Sequence, residues 1–437
     1  MRKVVLLAIL ICSTSLIING QNTQNINNYT KKRIIDTVLS CFKNNYVYPE
    51  MSLIMTDSIL QKYEKGEYAL CLTTNDLIDQ LSIDLRQISK DRHIGINYIE
   101  KAEISVSINK HSILSENIAR KKKENFKFKK IEWLPGNVGY IRFDQFEDTD
   151  YASNAAASAM SFISECDALI IDLRYNPGGE EKMVRFLASY FFSEPTLLNS
   201  RYFTTRDSIV QSWTNTSIPG KKFIDKSVYI LTSQNTASAA EAFTYILKNY
   251  NKAVIVGETT RGAAHWVQYH YFPSIKIEIK LPEARPINPV TGTNWEKTGI
   301  EPDVEIKEYK AFYRAYILAL EKLQESNSDS LIFQDMEWYK LLAKQKMETS
   351  SAIILADYCG LYDDIKFELK GNYLFWNQGE NEILVLFPIS KDHFVFDDSD
   401  DYIVKFVRNE RNKVVGYQLL IKGRNENPIH YKTGELI

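Results

Sequence analysis

Two stretches of this 437-residue sequence each run from a short apolar segment into a turn and then into helix-forming residues. They are Asp167 to Gly179, read D-A-L-I-I-D-L-R-Y-N-P-G-G, and Leu231 to Glu241, read L-T-S-Q-N-T-A-S-A-A-E. This pattern is typical of a buried strand that ends at a sheet edge and presents backbone N–H groups and a hydroxyl side chain there. We therefore expect reactive groups at one edge of a sheet.

The segments around these two stretches predict an α/β core with a largely buried sheet, because apolar runs alternate with helix-forming runs. A helical region precedes the core, since apolar residues recur at helical spacing from Thr30 to Asp91. Short alternating runs between Asp364 and Ile429 predict antiparallel strands after it. The apolar runs of the core are 139–146, 168–173, 228–232 and 253–257, and helices are expected at 312–323 and 336–347.

The length of the chain favours two or three domains, since one hydrophobic core rarely grows to this size. The composition shifts along the chain set the predicted boundaries. They give a signal peptide at 1–20, an N-terminal helical domain at 21–115, a core domain at 131–308, a helical connector at 309–350 and a C-terminal antiparallel β domain at 351–437.

The first residues predict export. Arg2 and Lys3 precede an apolar run from Val4 to Cys12, which is too short to span a membrane. A lipid anchor on Cys12 is disfavoured, because Ile11 stands where such signals need a small residue. We expect an exported protein, periplasmic or secreted, with no integral membrane segment after the signal is removed.

Charge and cysteine content exclude several kinds of partner. With 53 basic and 55 acidic side chains, the net charge of −2 provides no general attraction for nucleic acid. The basic run from Arg120 to Lys130 is therefore interpreted as a solvated linker. The cysteines show no C-x-x-C spacing and no nearby histidine cluster, so no metal, no cofactor and no disulfide framework is expected.

Ser238 is open to two interpretations at the start of a predicted helix. It is an ordinary N-cap whose hydroxyl satisfies free N–H groups, or it is a nucleophile. On this feature alone the cap is favoured. A nucleophilic serine also needs a base, a group that orients the base and donors for the oxyanion. Among the six histidines, His93 stands out because it lies where a helix gives way to an extended segment, in D-R-H-I-G-I.

From about Thr30 to Ile306 the chain resembles the C-terminal processing peptidase family, which also contains the tricorn core protease and the interphotoreceptor retinoid-binding protein. Six motifs in order carry the resemblance, and together they are far more specific than any one of them. They are Y-V-Y-P-E at 46–50, D-R-H at 91–93, D-L-R-Y-N-P-G-G at 172–179, T-A-S-A-A-E at 236–241, G-E-T-T-R-G at 257–262 and W-E-K-T-G-I-E-P-D at 295–303. The resemblance implies a crotonase-like peptidase core, with helices on a mixed sheet.

The family divides by its catalytic base. In the Ser/Lys branch a PDZ domain precedes the core and a lysine follows the glycine of the G-x-x-T-x-G loop, where this chain has Ala263. The interval from Gly95 to Ile131 is also about half of what a PDZ domain needs, and independent domains rarely fall below roughly 50 residues. The resemblance therefore favours the tricorn-like branch, whose order of histidine, serine and glutamate falls here on His93, Ser238 and Glu296.

In that branch Ser238 would attack the scissile carbonyl, His93 would be the base and Glu296 would orient it. The oxyanion donors would be the backbone N–H of Ala239 and that of Gly178 or Gly179. Glu241 is better explained as favourable charge at a helix N-terminus, and Glu258 is kept as second choice for the orienting role. Arg92 receives no role.

These residues predict an exported serine peptidase that hydrolyses peptide bonds of a peptide or protein through an acyl-enzyme. An alternative comes from the same family, whose retinoid-binding members suggest a non-catalytic binding protein for an apolar ligand or peptide. The presence of all three triad residue types favours catalysis over the carrier.

Overall fold

The structure is a computed structural model and describes residues 25–99, 116–325, 329–348, 353–379, 383–396, 399–424 and 427–433. The predicted signal peptide lies outside these residues. The chain divides into two compact units, one formed by Met1–Ser105 with Gln268–Leu281 and the other by Val106–Val267 with Pro282–Ile437. Each unit is described by itself.

The first unit is helical, as the sequence predicts. Its capping is visible at the third helix, where the Thr73 side chain accepts from the Asp76 N–H and the Asp76 carboxylate accepts from the Thr73 N–H. Its apolar core includes Ile34, Val38 and Leu81. Its helices are α1 (Asn28–Asn45), α2 (Pro49–Glu64) and α3 (Thr74–Ser89), and strand β1 (Gly95–Tyr98) pairs antiparallel with the first residues of a later strand, with Gly95 opposite Lys280.

The second unit is built on a mixed sheet, which confirms the predicted α/β core. Its strands are β2 (Phe128–Leu134), β3 (Val138–Phe143), β4 (Ala168–Asp172), β7 (Ser227–Thr232), β8 (Val254–Gly257) and β11 (Val304–Glu305), and β5 (Leu197–Phe203) and β6 (Ser208–Trp213) lie between β4 and β7 in sequence. Among the described residues the strand order in the sheet is β11-β8-β7-β4-β3-β2, and all neighbours are parallel except the antiparallel pair β2–β3.

Both faces of this sheet are covered by helices, because side chains that alternate along each strand enter two different cores. Leu169 and Ile171 of β4 pack into the core that includes Phe243, whereas Ala168 and Ile170 pack into the core that includes Leu320. The first face carries α4 (Thr149–Phe162), α5 (Glu181–Ala188) and α6 (Ala239–Asn249), and the second carries α7 (Glu308–Glu325) and α8 (Ser330–Glu348).

Strand β5 pairs antiparallel with β6 and with the end of a long strand, β10 (Ile277–Ile287), in which Pro286 lies opposite Arg201 of β5. Strand β9 (Trp266–Phe272) precedes β10 in the chain. The early part of β10 is the partner of β1 in the first unit.

The interpretation of Arg120 to Lys130 as a linker is wrong at its end. Strand β2 begins at Phe128 and pairs along β3, and the ring of Phe128 stacks on Phe143 at 5.2 Å. The Lys121 ammonium also contacts the buried Glu147 carboxylate at 2.6 Å. The lysines on both sides of Phe128 make the start of this strand look like part of a basic run.

The C-terminal residues form the predicted antiparallel β domain. Eight described strands follow one another in chain order, and the first meets the last where Tyr362 bridges to Lys432. Aromatic side chains such as Trp376 and Phe394 fill the core, whereas Tyr373 is 54% exposed. The strands are β12 (Gly360–Tyr362), β13 (Ile365–Lys370), β14 (Tyr373–Asn377), β15 (Ile383–Ser390), β16 (His393–Phe396), β17 (Ser399–Arg408), β18 (Val414–Ile421) and β19 (Ile429–Tyr431).

In the part of the chain that the structure describes, no helix has both the length and the apolar composition that crossing a membrane requires.

Candidate active site

Three loops of the second unit leave the same edge of the mixed sheet. Asp172 at the end of β4 lies opposite Leu231 of β7, and Thr232 lies opposite Gly257 at the end of β8. Because these strands are parallel, the loops that follow them emerge together at their carboxyl ends, where α/β sheets place ligand sites. The first two loops contain the turns of the stretches Asp167 to Gly179 and Leu231 to Glu241.

Ser238 has a backbone conformation that an ordinary N-cap does not need. Its φ is +53° and its ψ is −117°, whereas cap residues usually have extended dihedrals with negative φ. A non-glycine residue in such a region is strained, and strain of this kind concentrates at functional sites. A serine on a strained turn between a strand and a helix is also the arrangement that exposes a nucleophilic hydroxyl. The Ser238 N–H also donates to Glu241, as in a capping box, so the geometry accommodates a cap and a nucleophile at the same residue.

Gly178 packs directly against this turn. A Cβ atom at Gly178 would lie 2.8 Å from Ser238 Cβ, 2.8 Å from the Ala237 oxygen and 2.9 Å from Ala239 N. With φ at +113°, only glycine fits comfortably here. The loop after β4 therefore meets the serine and the first N–H group of α6, which are two of the parts that acyl transfer needs.

The buried Asn176 side chain fixes the glycine loop. Its amide Nδ2 donates to the Phe143 carbonyl, and its Oδ1 accepts from the Gly178 N–H, both at 2.9 Å. Phe146 holds the other side, because its N–H donates to the Gly178 carbonyl at 2.9 Å. The N–H of Gly178 is thus already bonded, and Gly179 is the stronger candidate of the two glycines for an oxyanion donor.

Glu241 makes more hydrogen bonds than its position in the first turn of a helix suggests. Its carboxylate is completely buried and accepts four hydrogen bonds, which the sequence did not reveal. Burial raises the pKa of the carboxyl above its ordinary value, although these hydrogen bonds act in the opposite direction. The donors are Ser238 N at 2.8 Å, Thr260 Oγ1 at 2.6 Å, Gly262 N at 2.6 Å and Ala263 N at 2.9 Å.

Glu296 binds the next two N–H groups of the same loop. Its Oε2 accepts from Ala264 N at 2.7 Å and from His265 N at 3.2 Å, and it lies 3.7 Å from His265 Nδ1. His265 is buried, with a relative exposure of 3%. His265 was not among the predicted site residues. Its position three residues after the G-E-T-T-R-G motif is the sequence feature that could have indicated it.

His93 lies in the first unit, directly after α3, and has its own carboxylate neighbour. The Asp91 Oδ1 atom accepts from the His93 N–H at 2.9 Å and lies 3.4 Å from His93 Nδ1. Asp91 is completely buried and His93 is 7% exposed. Arg92 between them is exposed to solvent.

Two further carboxylates of the motifs, those of Glu258 and Asp172, have structural partners. Glu258 pairs with Lys307 at 3.0 Å near the surface. Asp172 forms a bidentate ion pair with Arg174 and accepts from Tyr140 at 2.7 Å. Burial, the largest cause, raises the pKa of the Tyr140 hydroxyl, and the Asp172 carboxylate adds to this effect. The D-L-R part of its motif therefore stabilises the strand end that precedes the glycine loop.

An internal cavity of the second unit is lined only by apolar side chains, among them Phe143, Met160 and Phe243, and has a volume of about 10 Å³. That is about the volume of one water-sized sphere. It is far too small for a ligand of retinoid size.

Comparisons with known proteins identify two family matches. Residues 137–306 match the family described as Peptidase family S41. Residues 26–127 match the one described as the N-terminal domain of Peptidase S41 in eukaryotic IRBP.

Curated relatives include a carboxyl-terminal-processing protease of Synechocystis sp., which is 34% identical over 129 residues, or 29% of this chain and 29% of that protein. A CtpA-like serine protease of Staphylococcus aureus is 27% identical over 209 residues, or 47% of this chain and 40% of that protein. The chain thus spans less than half of the length of these relatives. A solved structure of the tricorn protease aligns at 14% identity with a TM-score of 0.46, over 68% of this chain and 37% of that one. Residues 137–306 thus form a segment similar to the peptidase domain of family S41.

Proposed function

We propose that this protein is an exported serine peptidase, with Ser238 as nucleophile, His93 as base and Glu296 as the carboxylate that orients the base. The observation that carries the proposal is the strained backbone of Ser238, held against Gly178 at the carboxyl edge of the sheet. Backbone strain of this kind concentrates at functional sites, and an N-cap does not require it.

In the proposed reaction the Ser238 hydroxyl attacks the carbonyl carbon of a peptide bond while His93 takes its proton. The negative charge that develops on the carbonyl oxygen is stabilised by N–H donors, for which we propose Ala239 and Gly179. Protonated His93 then gives its proton to the leaving amine. Water hydrolyses the acyl-enzyme by the same steps in reverse order.

The proposed base belongs to the first unit and the proposed nucleophile to the second. His265 is a rival base, because it lies in the second unit with Ser238 and 3.7 Å from Glu296. The resemblance favours His93, since the tricorn-like order places the histidine before the serine. Separate His93→Ala and His265→Ala variants decide between them.

The substrate and the location follow from the proposed chemistry and from the first residues. A serine peptidase acts on peptides or proteins, and the relatives are named for processing of carboxyl termini. The predicted signal peptide at 1–20 supports export to the periplasm or the outside. The alternative, an apolar-ligand carrier, finds no support in the cavity of about 10 Å³.

The test is labelling of the purified mature protein with a fluorophosphonate probe, which modifies activated serines. We expect labelling of the parent protein, none for Ser238→Ala, and a steep loss for His93→Ala and Glu296→Gln, while His265→Ala keeps most of it. Circular dichroism confirms that each variant is folded. If the folded parent protein is not labelled, the peptidase proposal is wrong. If only His265→Ala loses labelling, the base is misassigned.

A further inference from the structure

We propose that Asp91 is a positioning residue for the catalytic base, which holds His93 by its backbone and stabilises the imidazole in its charged form. This inference rests on the proposed function, because it gives Asp91 a part in the same reaction. It adds to the triad a carboxylate from the first unit, whereas Glu296 comes from the second.

The contacts of Asp91 place a negative charge beside the ring of His93. One oxygen, Oδ1, accepts from the His93 N–H at 2.9 Å and lies 3.4 Å from Nδ1 of the same residue. Burial of Asp91 limits the screening of this charge by water. A base that becomes positively charged during the attack therefore gains from this neighbour.

The second oxygen of Asp91 is held from another direction. Tyr46, which is 2% exposed, donates from its hydroxyl to Asp91 Oδ2 at 3.2 Å. The Asp91 N–H in turn donates to Ser89 Oγ at 3.1 Å. The tyrosine and aspartate come from the motifs at 46–50 and 91–93, which are 45 residues apart in sequence. Their hydrogen bond provides a physical reason for both motifs.

Two cationic groups of the first unit share this environment. Lys280 of β10 feels the charge of Asp91, but burial, the largest cause, lowers the pKa of its ammonium group, and nearby Arg86 lowers it further. Arg86 itself donates from Nε to the Ile94 carbonyl at 2.6 Å. Asp91 and Lys280 are therefore close enough to interact.

The test compares the pH dependence of fluorophosphonate labelling between Asp91→Asn and the parent protein. The acidic limb of such a profile reports protonation of the base. Asparagine keeps an oxygen that can accept from the His93 N–H but has no charge. We expect this limb to move to lower pH by at least about one unit, the shift for two unit charges at this distance in a medium as polar as water.

Matched controls come from an equivalent pair in the same unit. The hydroxyl of Tyr68 donates to Asp84 Oδ2 at 2.7 Å, and both residues are buried. Asp84→Asn should therefore leave the acidic limb in place. Tyr46→Phe should slow labelling by about tenfold through loss of one hydrogen bond to a charged group, whereas Tyr68→Phe should not slow it.

The outcomes separate this inference from the proposed function. If Ser238→Ala keeps its label, the peptidase proposal fails. If Ser238→Ala loses its label but the acidic limb of Asp91→Asn does not move, Asp91 serves only the backbone and the inference is overturned. Should Asp91→Asn not fold, the comparison of Tyr46→Phe with Tyr68→Phe decides, and equal rates for the two overturn the inference.

Discussion

Replacement of Gly178 by alanine should abolish most of the activity and leave the fold intact. The new methyl group would lie 2.8 Å from Ser238 Cβ and 2.9 Å from Ala239 N, closer than such atoms approach in proteins. It would therefore stand where a substrate oxygen must approach the Ala239 N–H. Loss of one oxyanion donor costs about 10²- to 10³-fold in rate, so we expect the labelling rate to fall by that factor.

The backbone contribution to this effect can be measured separately. Alanine in the left-handed region costs about 1–2 kcal/mol of stability through its backbone alone. Gly220 lies in the same unit, has a φ of +81° and would place a Cβ in open space, with nothing within 4 Å. Gly220→Ala therefore carries the conformational cost without the obstruction, and it is the matched control for Gly178→Ala.

The assay is the second-order rate constant for fluorophosphonate labelling of each variant, with chemical denaturation to measure stability. We expect Gly220→Ala to react at the parent rate and Gly178→Ala to react at least about 100-fold more slowly. The reasoning is refuted if both folded variants react at similar rates, because the methyl group would then not obstruct the oxyanion site.

Three further predictions concern stability and reactivity. Glu241→Gln should lower the free energy of unfolding by roughly 2–6 kcal/mol, because the two donors bound to one carboxylate oxygen would face an amide NH2 group instead, whereas Glu258→Gln at the surface should change it by less than about 1 kcal/mol. Asp172→Asn should cost about 3–5 kcal/mol in the same measurement, since Arg174 would be left buried without its carboxylate. Burial raises the pKa of Cys166 to about 11, so at pH 8 only about a thousandth of this thiol is ionised and iodoacetamide should alkylate it slowly until the protein is denatured.

Much of the fold could be predicted from the sequence because the patterns are local. The strand β4 is buried throughout, and its apolar run from Ala168 to Ile171 showed this directly. Strand β2 could not be seen in the same way, since its lysines are exposed and its paired aromatic residues look like part of a basic run. A solvated charge pattern and a strand with one exposed face are difficult to tell apart without the neighbouring strand.

The turns of the candidate site were predictable where they depend on local sequence, and the roles of their residues stay predictions. The glycine pair marks such a turn, because both glycines have a positive φ. The partners of buried carboxylates were not predictable, since they depend on which N–H groups a distant loop presents. Glu241 was therefore interpreted as a helix-end charge, although its four hydrogen bonds make it a structural centre.

Two carboxylates bind the backbone of the loop after β8. Four consecutive N–H groups, those of residues 262–265, are divided between them, with the first two bound by Glu241 and the last two by Glu296. Because Glu241 also binds the Ser238 N–H, a shift of this loop would move the nucleophile turn and Glu296 together. Gly262, the last residue of the G-E-T-T-R-G motif, and the three residues after it therefore link Glu296 to the Ser238 turn through backbone N–H groups. An alanine at 263 is consistent with this role, since its N–H group, bound to Glu241, is the part that the arrangement uses.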